Sequence, residues 1–175
     1  MGKALTNVSN YKTKKCPEDR QKQLIDLIDM IKPDGVMLSF CERLEDIHYM
    51  QSLFPGMKVI PKVETMKGAD SVSTFYECVD EICLGRGDLG IINQYDCARV
   101  QDGVLHIAHE QQKGIIIGTG VLQSLSQGKV IPARSELTDI HYIKKYKEAS
   151  IMLAAGIVTN ETYLKRAMQL IRGIV

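Results

Sequence analysis

Lys58-Val-Ile-Pro-Lys-Val-Glu-Thr65 and Glu81-Ile-Cys-Leu-Gly-Arg-Gly-Asp-Leu-Gly-Ile91 decide how this chain folds. Each is an apolar run of strand length that breaks into charged and small residues. These are Lys62 and Glu64 in the first stretch, and Arg86, Gly87, Asp88 and Gly90 in the second. Valine, isoleucine, cysteine and leucine without polar alternation predict strands buried on both faces, as in a parallel sheet flanked by helices. Ligands of such sheets bind at the carboxyl ends of the strands, where these charges fall. Glu64 and Asp88, leaving neighbouring strands, can share a hard divalent cation such as Mg²⁺ or Mn²⁺, which takes oxygen ligands and keeps several waters. Lys62 stands two residues before Glu64 and so points to the same face of its strand. An ammonium there suits the stabilisation of developing negative charge. The plainer alternative is a pair of structural salt bridges at strand ends, Lys62–Glu64 and Arg86–Asp88.

Composition narrows the setting. The 175 residues suffice for one domain with a sizeable core, and 45% apolar and 25% charged residues are those of an ordinary globular protein. A net charge of +1 gives no electrostatic case for a nucleic-acid partner. No apolar run approaches the length of a membrane-spanning helix. The five cysteines, Cys16, Cys41, Cys78, Cys83 and Cys97, form no Cys-x-x-Cys pair. With no signal peptide evident, free thiols in a reducing cytoplasm are expected. Residues 1–15, with Lys12, Lys14 and Lys15, read as a polar N-terminal arm ahead of a domain at 16–175.

The rest of the chain alternates. A helix is expected from near Pro17, with Glu18 and Asp19 in its first turn, and Pro33-Asp34-Gly35 ends it. Strands follow at Val36–Phe40, from Lys58, from Glu81, at Ile115–Gly118 and at Ser150–Ala154. Helices are expected at Leu44–Leu53, Ala69–Cys78, Cys97–Gln112, Val121–Leu125, Glu136–Lys147 and Glu161–Ile171. Strands alternating with helices imply right-handed βαβ units and a parallel α/β sheet of five units. An eight-stranded barrel of such units runs to about 250 residues. A five-strand sheet cannot close, and it leaves two edges of unpaired backbone groups.

Several stretches, in order, resemble the pyruvate kinase family. Lys62-Val63-Glu64-Thr65 is similar to its Lys-Ile-Glu-Asn motif, and Gly85-Arg86-Gly87-Asp88-Leu89-Gly90 to its Ala-Arg-Gly-Asp-Leu-Gly. Ser39-Phe40, Gly118-Thr119 and Pro132-Ala133-Arg134-Ser135-Glu136 add to the likeness, the last resembling Pro-Thr-Arg-Ala-Glu. The resemblance implies a partial (β/α) TIM barrel, its fourth to eighth strands. It further implies Glu64 and Asp88 as metal ligands and Lys62 as the catalytic group that stabilises the enolate of pyruvate and assists phosphoryl transfer. Thr119 joins Lys62 as a catalytic candidate. The backbone of Gly87 and Asp88 and the Thr119 hydroxyl would hold the carboxylate of a 2-oxo acid or phosphoenolpyruvate, with Arg86 orienting the site.

The departures matter as much. Glu42 stands where the family usually has arginine, Ala133 replaces a threonine, and Ala154-Ala155-Gly156-Ile157 is apolar where the family has Ser-Gly-Glu-Thr. The strands with no counterpart here carry the family's phosphate-binding arginine and most ligands of its monovalent cation. Three readings therefore stand. The chain is the metal–enolate part of a pyruvate kinase, completed by a homo-oligomer or by a chain supplying the missing half. It is a metal-dependent 2-oxo acid lyase, such as a decarboxylase or aldolase. Or it is a non-catalytic module that binds a metabolite or a partner. Arg134 and Glu136 are expected in surface or intersubunit salt bridges. Ser39 is either a site serine or one satisfied by backbone, and His48, His106, His109 and His141 show no ligand pattern.

Overall fold

The computed structural model describes residues 18–92 and 95–174; of Ile92 only the backbone is described. The expected arm at residues 1–15, and Cys16, lie outside the described residues. The chain divides into two units, Met1–Pro33 and Asp34–Val175. In the first, helix α1 (Glu18–Ile31) carries Glu18 and Asp19 in its first turn, where their charge favours the helix dipole. Its end is closed by the Lys32 N–H, which donates to the Ile28 carbonyl at 2.7 Å, with Lys32 in the left-handed region at φ 51°.

The second unit runs β1 (Gly35–Leu38), α2 (Leu44–Leu53), β2 (Lys58–Val63), α3 (Met66–Asp70), α4 (Val72–Phe75), β3 (Glu81–Gly85), α5 (Arg86–Ile92) and α6 (Cys97–Glu110). It continues with β4 (Gly114–Gly118), α7 (Gln123–Ser126), α8 (Arg134–Ile143), β5 (Ala149–Ile151), α9 (Ala155–Val158) and α10 (Glu161–Gly173). The five strands form one sheet in the order β1-β2-β3-β4-β5, every pair parallel. A sheet whose spatial order repeats its chain order has no reversal point. It winds in one direction, as strands of a barrel do and as a doubly wound sheet does not.

The register sorts the strand residues onto two faces. Val59, Val63, Ile82, Leu84, Ile115 and Ile117 are buried in one core with Ile47, Phe75, Val104, Leu105 and Ile143 of the helices. Burying each such side chain contributes about 2 kcal/mol. On the other face Met37 pairs with Ile60, and Lys62 with Cys83. Met37 is 39% exposed, and Ile60 and Ile116 are only partly buried. A second cluster joins Val121, Leu122, Leu125, Ile140, Ile157 and Ala167. Pro61, which has no N–H to give to a ladder, lies within β2. The β2–β3 ladder begins just after it and holds only Lys62↔Cys83 and Val63↔Leu84.

The structure corrects several boundaries. The single helix expected at Ala69–Cys78 is two short ones meeting at Ser71. The strand expected to reach Phe40 stops at Leu38, because Phe40 adopts φ 52°, which no strand residue has. The strand expected at Ser150–Ala154 is Ala149–Ile151, and Ala154 instead precedes the short helix α9. Arg86, Gly87 and Asp88 are the first turn of α5, a helix the apolar pattern did not announce.

Candidate functional site

Lys62 and Glu64 project from the carboxyl end of β2, and the Lys62 Nζ lies 2.5 Å from Glu64 Oε1. Glu64 is 3% exposed. Its other oxygen, Oε2, accepts the backbone N–H of Phe40 at 3.0 Å. The left-handed backbone at Phe40 belongs to the turn that offers this N–H. Opposite the pair, on β3, Gly85 has no side chain where a methyl group would stand 2.8 Å from Glu64 Cγ. Two donors, an ammonium and a backbone N–H, thus meet the two oxygens of one buried carboxylate.

The second half of the site is built around Arg86. Its Nε donates to the carbonyls of Gly118 and Thr119, at 3.2 and 3.0 Å, and another guanidinium nitrogen donates to the Thr119 carbonyl at 2.7 Å. The remaining nitrogen meets Gln101 Oε1 at 2.9 Å and Asp139 Oδ2 at 2.6 Å. Gln101 also donates to Asp139 Oδ1 at 3.2 Å. This clamp fixes the turn after β4, where Thr119 takes φ 66°, a conformation that costs a β-branched residue about 1–2 kcal/mol. Gly87 lies directly against Thr119, an added methyl there standing 3.2 Å from Thr119 Cγ2. Thr119 is exposed and its hydroxyl has no hydrogen bond among the described residues, and Asp88, partly buried, likewise has neither side-chain hydrogen bond nor ion pair among them.

Lys62, Glu64 and Gly85 thus meet at the ends of β2 and β3, while Gly87, Arg86 and Thr119 meet at the ends of β3 and β4. Of the two structural salt bridges weighed from sequence, Lys62–Glu64 is present, but Arg86 pairs with Asp139 rather than Asp88. Glu64 and Asp88 are both carboxylates, the oxygen chemistry that a hard divalent cation takes, and Asp88 has no other partner among the described residues. Among the described residues no group of three or more His, Cys, Asp or Glu side chains is placed to hold an ion. The protein would therefore supply two carboxylates and leave other positions to water and ligand oxygens. Cys83 adjoins Lys62 across the ladder; burial pushes its thiol up to about 11, with Lys62 drawing it partly back. It is not a thiolate at neutral pH. The described cysteines Cys41, Cys78, Cys83 and Cys97 are all free, as expected.

Other expectations resolve differently. Glu136 forms no salt bridge among the described residues. It accepts the backbone N–H groups of Ser124 at 2.8 Å and Ala133 at 2.9 Å, and the Ser124 hydroxyl. Arg134 is exposed without an ion pair among the described residues. Ser39 is exposed and its hydroxyl has no backbone partner among them, so the backbone-satisfied alternative fails. Glu42, the reversed charge, accepts the Thr65 hydroxyl at 2.9 Å and lies 3.4 Å from Lys67, one residue beyond Glu64 in its contact with β2's end. His109 pairs with Glu148 at 3.0 Å, and His106 with Glu110 on an exposed face. Asp139 and Gln101 went unnoticed in the sequence. Asp139 lies 53 residues from Arg86, and its only local signal is its place three residues after Glu136 on one helix face. A pocket of about 500 Å³ lies against the Arg86 clamp, lined by Arg86, Gln101, Thr119, Ser135 and Asp139 among others; Lys62 and Glu64 are outside its lining.

Comparison with known proteins bears on this geometry. The family model of the pyruvate kinase barrel domain matches residues 15–163. The pyruvate kinase of Pyrobaculum aerophilum is 28% identical over 134 residues, covering 74% of this chain and 28% of the relative. That of Chlamydia pneumoniae is 26% identical over 148 residues, covering 81% and 30%. That of Clostridium perfringens is 25% identical over 174 residues, covering 95% and 36%. The matches span between 19% and 36% of the length of the curated relatives. With a one-directional parallel sheet and a family match over most of its length, the chain belongs to the pyruvate kinase family, and its sheet is part of that family's barrel.

Proposed function

We propose that this chain carries the metal–enolate part of a pyruvate kinase-type site. Glu64 and Asp88 would hold Mg²⁺ or Mn²⁺, which supplies polarisation of a keto oxygen. The backbone N–H groups of Gly87 and Asp88 and the Thr119 hydroxyl would bind the carboxylate of pyruvate or phosphoenolpyruvate. Arg86 orients that carboxylate's seat by fixing the Thr119 carbonyl. Lys62 places its ammonium where negative charge develops on the substrate oxygen. The observation that carries this reading is the buried Glu64 carboxylate at the end of β2, held by Lys62 and the Phe40 N–H beside a glycine. Phosphoryl transfer depends on positioning and on neutralising phosphate charge, and a five-strand sheet supplies part of that. We assign the protein to the cytoplasm, acting as a homo-oligomer or with a polypeptide that completes the barrel. No helix among the described residues is long and apolar enough to cross a membrane.

A non-catalytic role is favoured by two observations. Glu42 is tied to Thr65 and Lys67 beside the site, and the end of β5 leads into an apolar helix with Ile157 buried. The two readings separate in one experiment. With Mn²⁺ present, the protein should promote exchange of the pyruvate methyl protons into deuterated water, followed by NMR, whereas ATP formation from phosphoenolpyruvate by the isolated chain should be negligible. Loss of exchange in Glu64→Gln, with the variant still folded, completes the expected result. No exchange above the metal-only control would leave the binding-module reading in place.

A further inference from the structure

The Lys62–Glu64 pair occupies room that a glycine leaves. A methyl group on Gly85 would stand 2.8 Å from Glu64 Cγ, 3.1 Å from Glu64 Oε1 and 3.1 Å from Lys62 Cε. Those are the side chains whose ends close to 2.5 Å. We propose that Lys62 is a latch on Glu64, made possible by Gly85: its ammonium holds Oε1 until a divalent cation claims that oxygen, and only then is Lys62 free to face a substrate. The inference rests on the metal site proposed above.

The two Glu64 oxygens differ in how easily they can be traded. Oε2 is held by the Phe40 N–H, a backbone donor that cannot swing aside. Oε1 is held by the end of a four-carbon side chain that can. Lys62 is also the only cation paired with Glu64 among the described residues. An ammonium and a divalent cation on the same carboxylate oxygen repel at short range, and the carboxylate between them is only 4% exposed. Lys62 must therefore leave as the cation arrives. Without the cation, Lys62 neutralises a buried carboxylate that would otherwise be unpaired. The two tasks of Lys62 exclude one another, so the latch weakens cation binding and makes release of the ammonium conditional on it.

Gly85→Ala keeps every charge and removes only the room. It should push the pair apart and raise Mn²⁺ affinity at least threefold, read by water proton relaxation. In the wild-type chain, acylation of Lys62 by an amine reagent, followed by peptide mass spectrometry, should speed up at least threefold on adding Mn²⁺. In Gly85→Ala it should be fast without metal. If Gly85→Ala does not fold by circular dichroism, the wild-type acylation still decides. Mn²⁺ binding by the wild type with no gain in affinity and no change in acylation overturns the latch and leaves the metal site standing. No binding by either protein at millimolar Mn²⁺ overturns the metal site, and the latch with it.

Discussion

Glu136 shows how one side chain can hold two elements. Burial raises its carboxyl, but the Ser124 hydroxyl, the Ser124 N–H and the Ala133 N–H outweigh that, and the group ends below its ordinary range. A depressed carboxylate contributes stability that is fully present above its unfolded pKa, near 4.3, and is lost as pH falls through its folded value. Glu136→Gln is expected to cost about 1–2 kcal/mol at neutral pH, since a neutral amide cannot accept all three hydrogen bonds. It should also flatten the loss of stability in acid, measured by urea denaturation between pH 3 and 7; an unchanged acid limb would assign that loss to other carboxylates. Ala133 offers the converse test. As the N-cap of α8 it has extended backbone and no side-chain cap, so only the glutamate half of a capping box is made. Ala133→Thr should add the missing half and raise stability by about 0.5–1 kcal/mol.

Among the elements, the clamp between α5, β4, α6 and α8 depends on Arg86, whose side chain is 13% exposed. Asp139→Asn would leave a nearly buried guanidinium without its countercharge and should cost about 1–3 kcal/mol in urea denaturation. An unchanged midpoint would show that the carbonyls of Gly118 and Thr119 suffice to hold Arg86. The same elements mark where sequence reading succeeded and where it stopped. β3 and β4 were legible because isoleucine, leucine and cysteine leave no polar face to expose. Lys62, Glu64 and Asp88 stand out in the sequence because they fall where apolar runs end. Helix α5 was hidden because it opens on Arg86, Gly87 and Asp88, and glycine and aspartate are poor helix formers. The partner of Arg86 was hidden because pairing across 53 residues leaves no local pattern. Pattern reading finds periodicity; it does not find a charge's distant partner.

The sheet as a whole ends in β1 and β5, and its unclustered face carries Met37, Ile60 and Ile116. Among the described residues neither β1 nor β5 has a further strand beside it, and such edges invite pairing with another chain, so the protein should self-associate or bind a polypeptide that completes the barrel. Light scattering should find species heavier than the 19.6 kDa chain, and Met37→Lys should shift them toward the monomer. A compact, stable monomer at high concentration would overturn that expectation. Pro61 has a different consequence. The β2–β3 ladder has two paired positions, fewer than the four of β1–β2 and the five of β3–β4. Cooperative units tend to part where hydrogen bonds are fewest, which makes the boundary behind Pro61 a natural fault line. Lys62 and Glu64 stand on one bank of it, and Asp88, Gly87 and Thr119 on the other. A ligand gripping both banks would act as a suture: its binding energy would go into the seam first, and amide hydrogens of β2 and β3 would slow their exchange with solvent before those of any other strand.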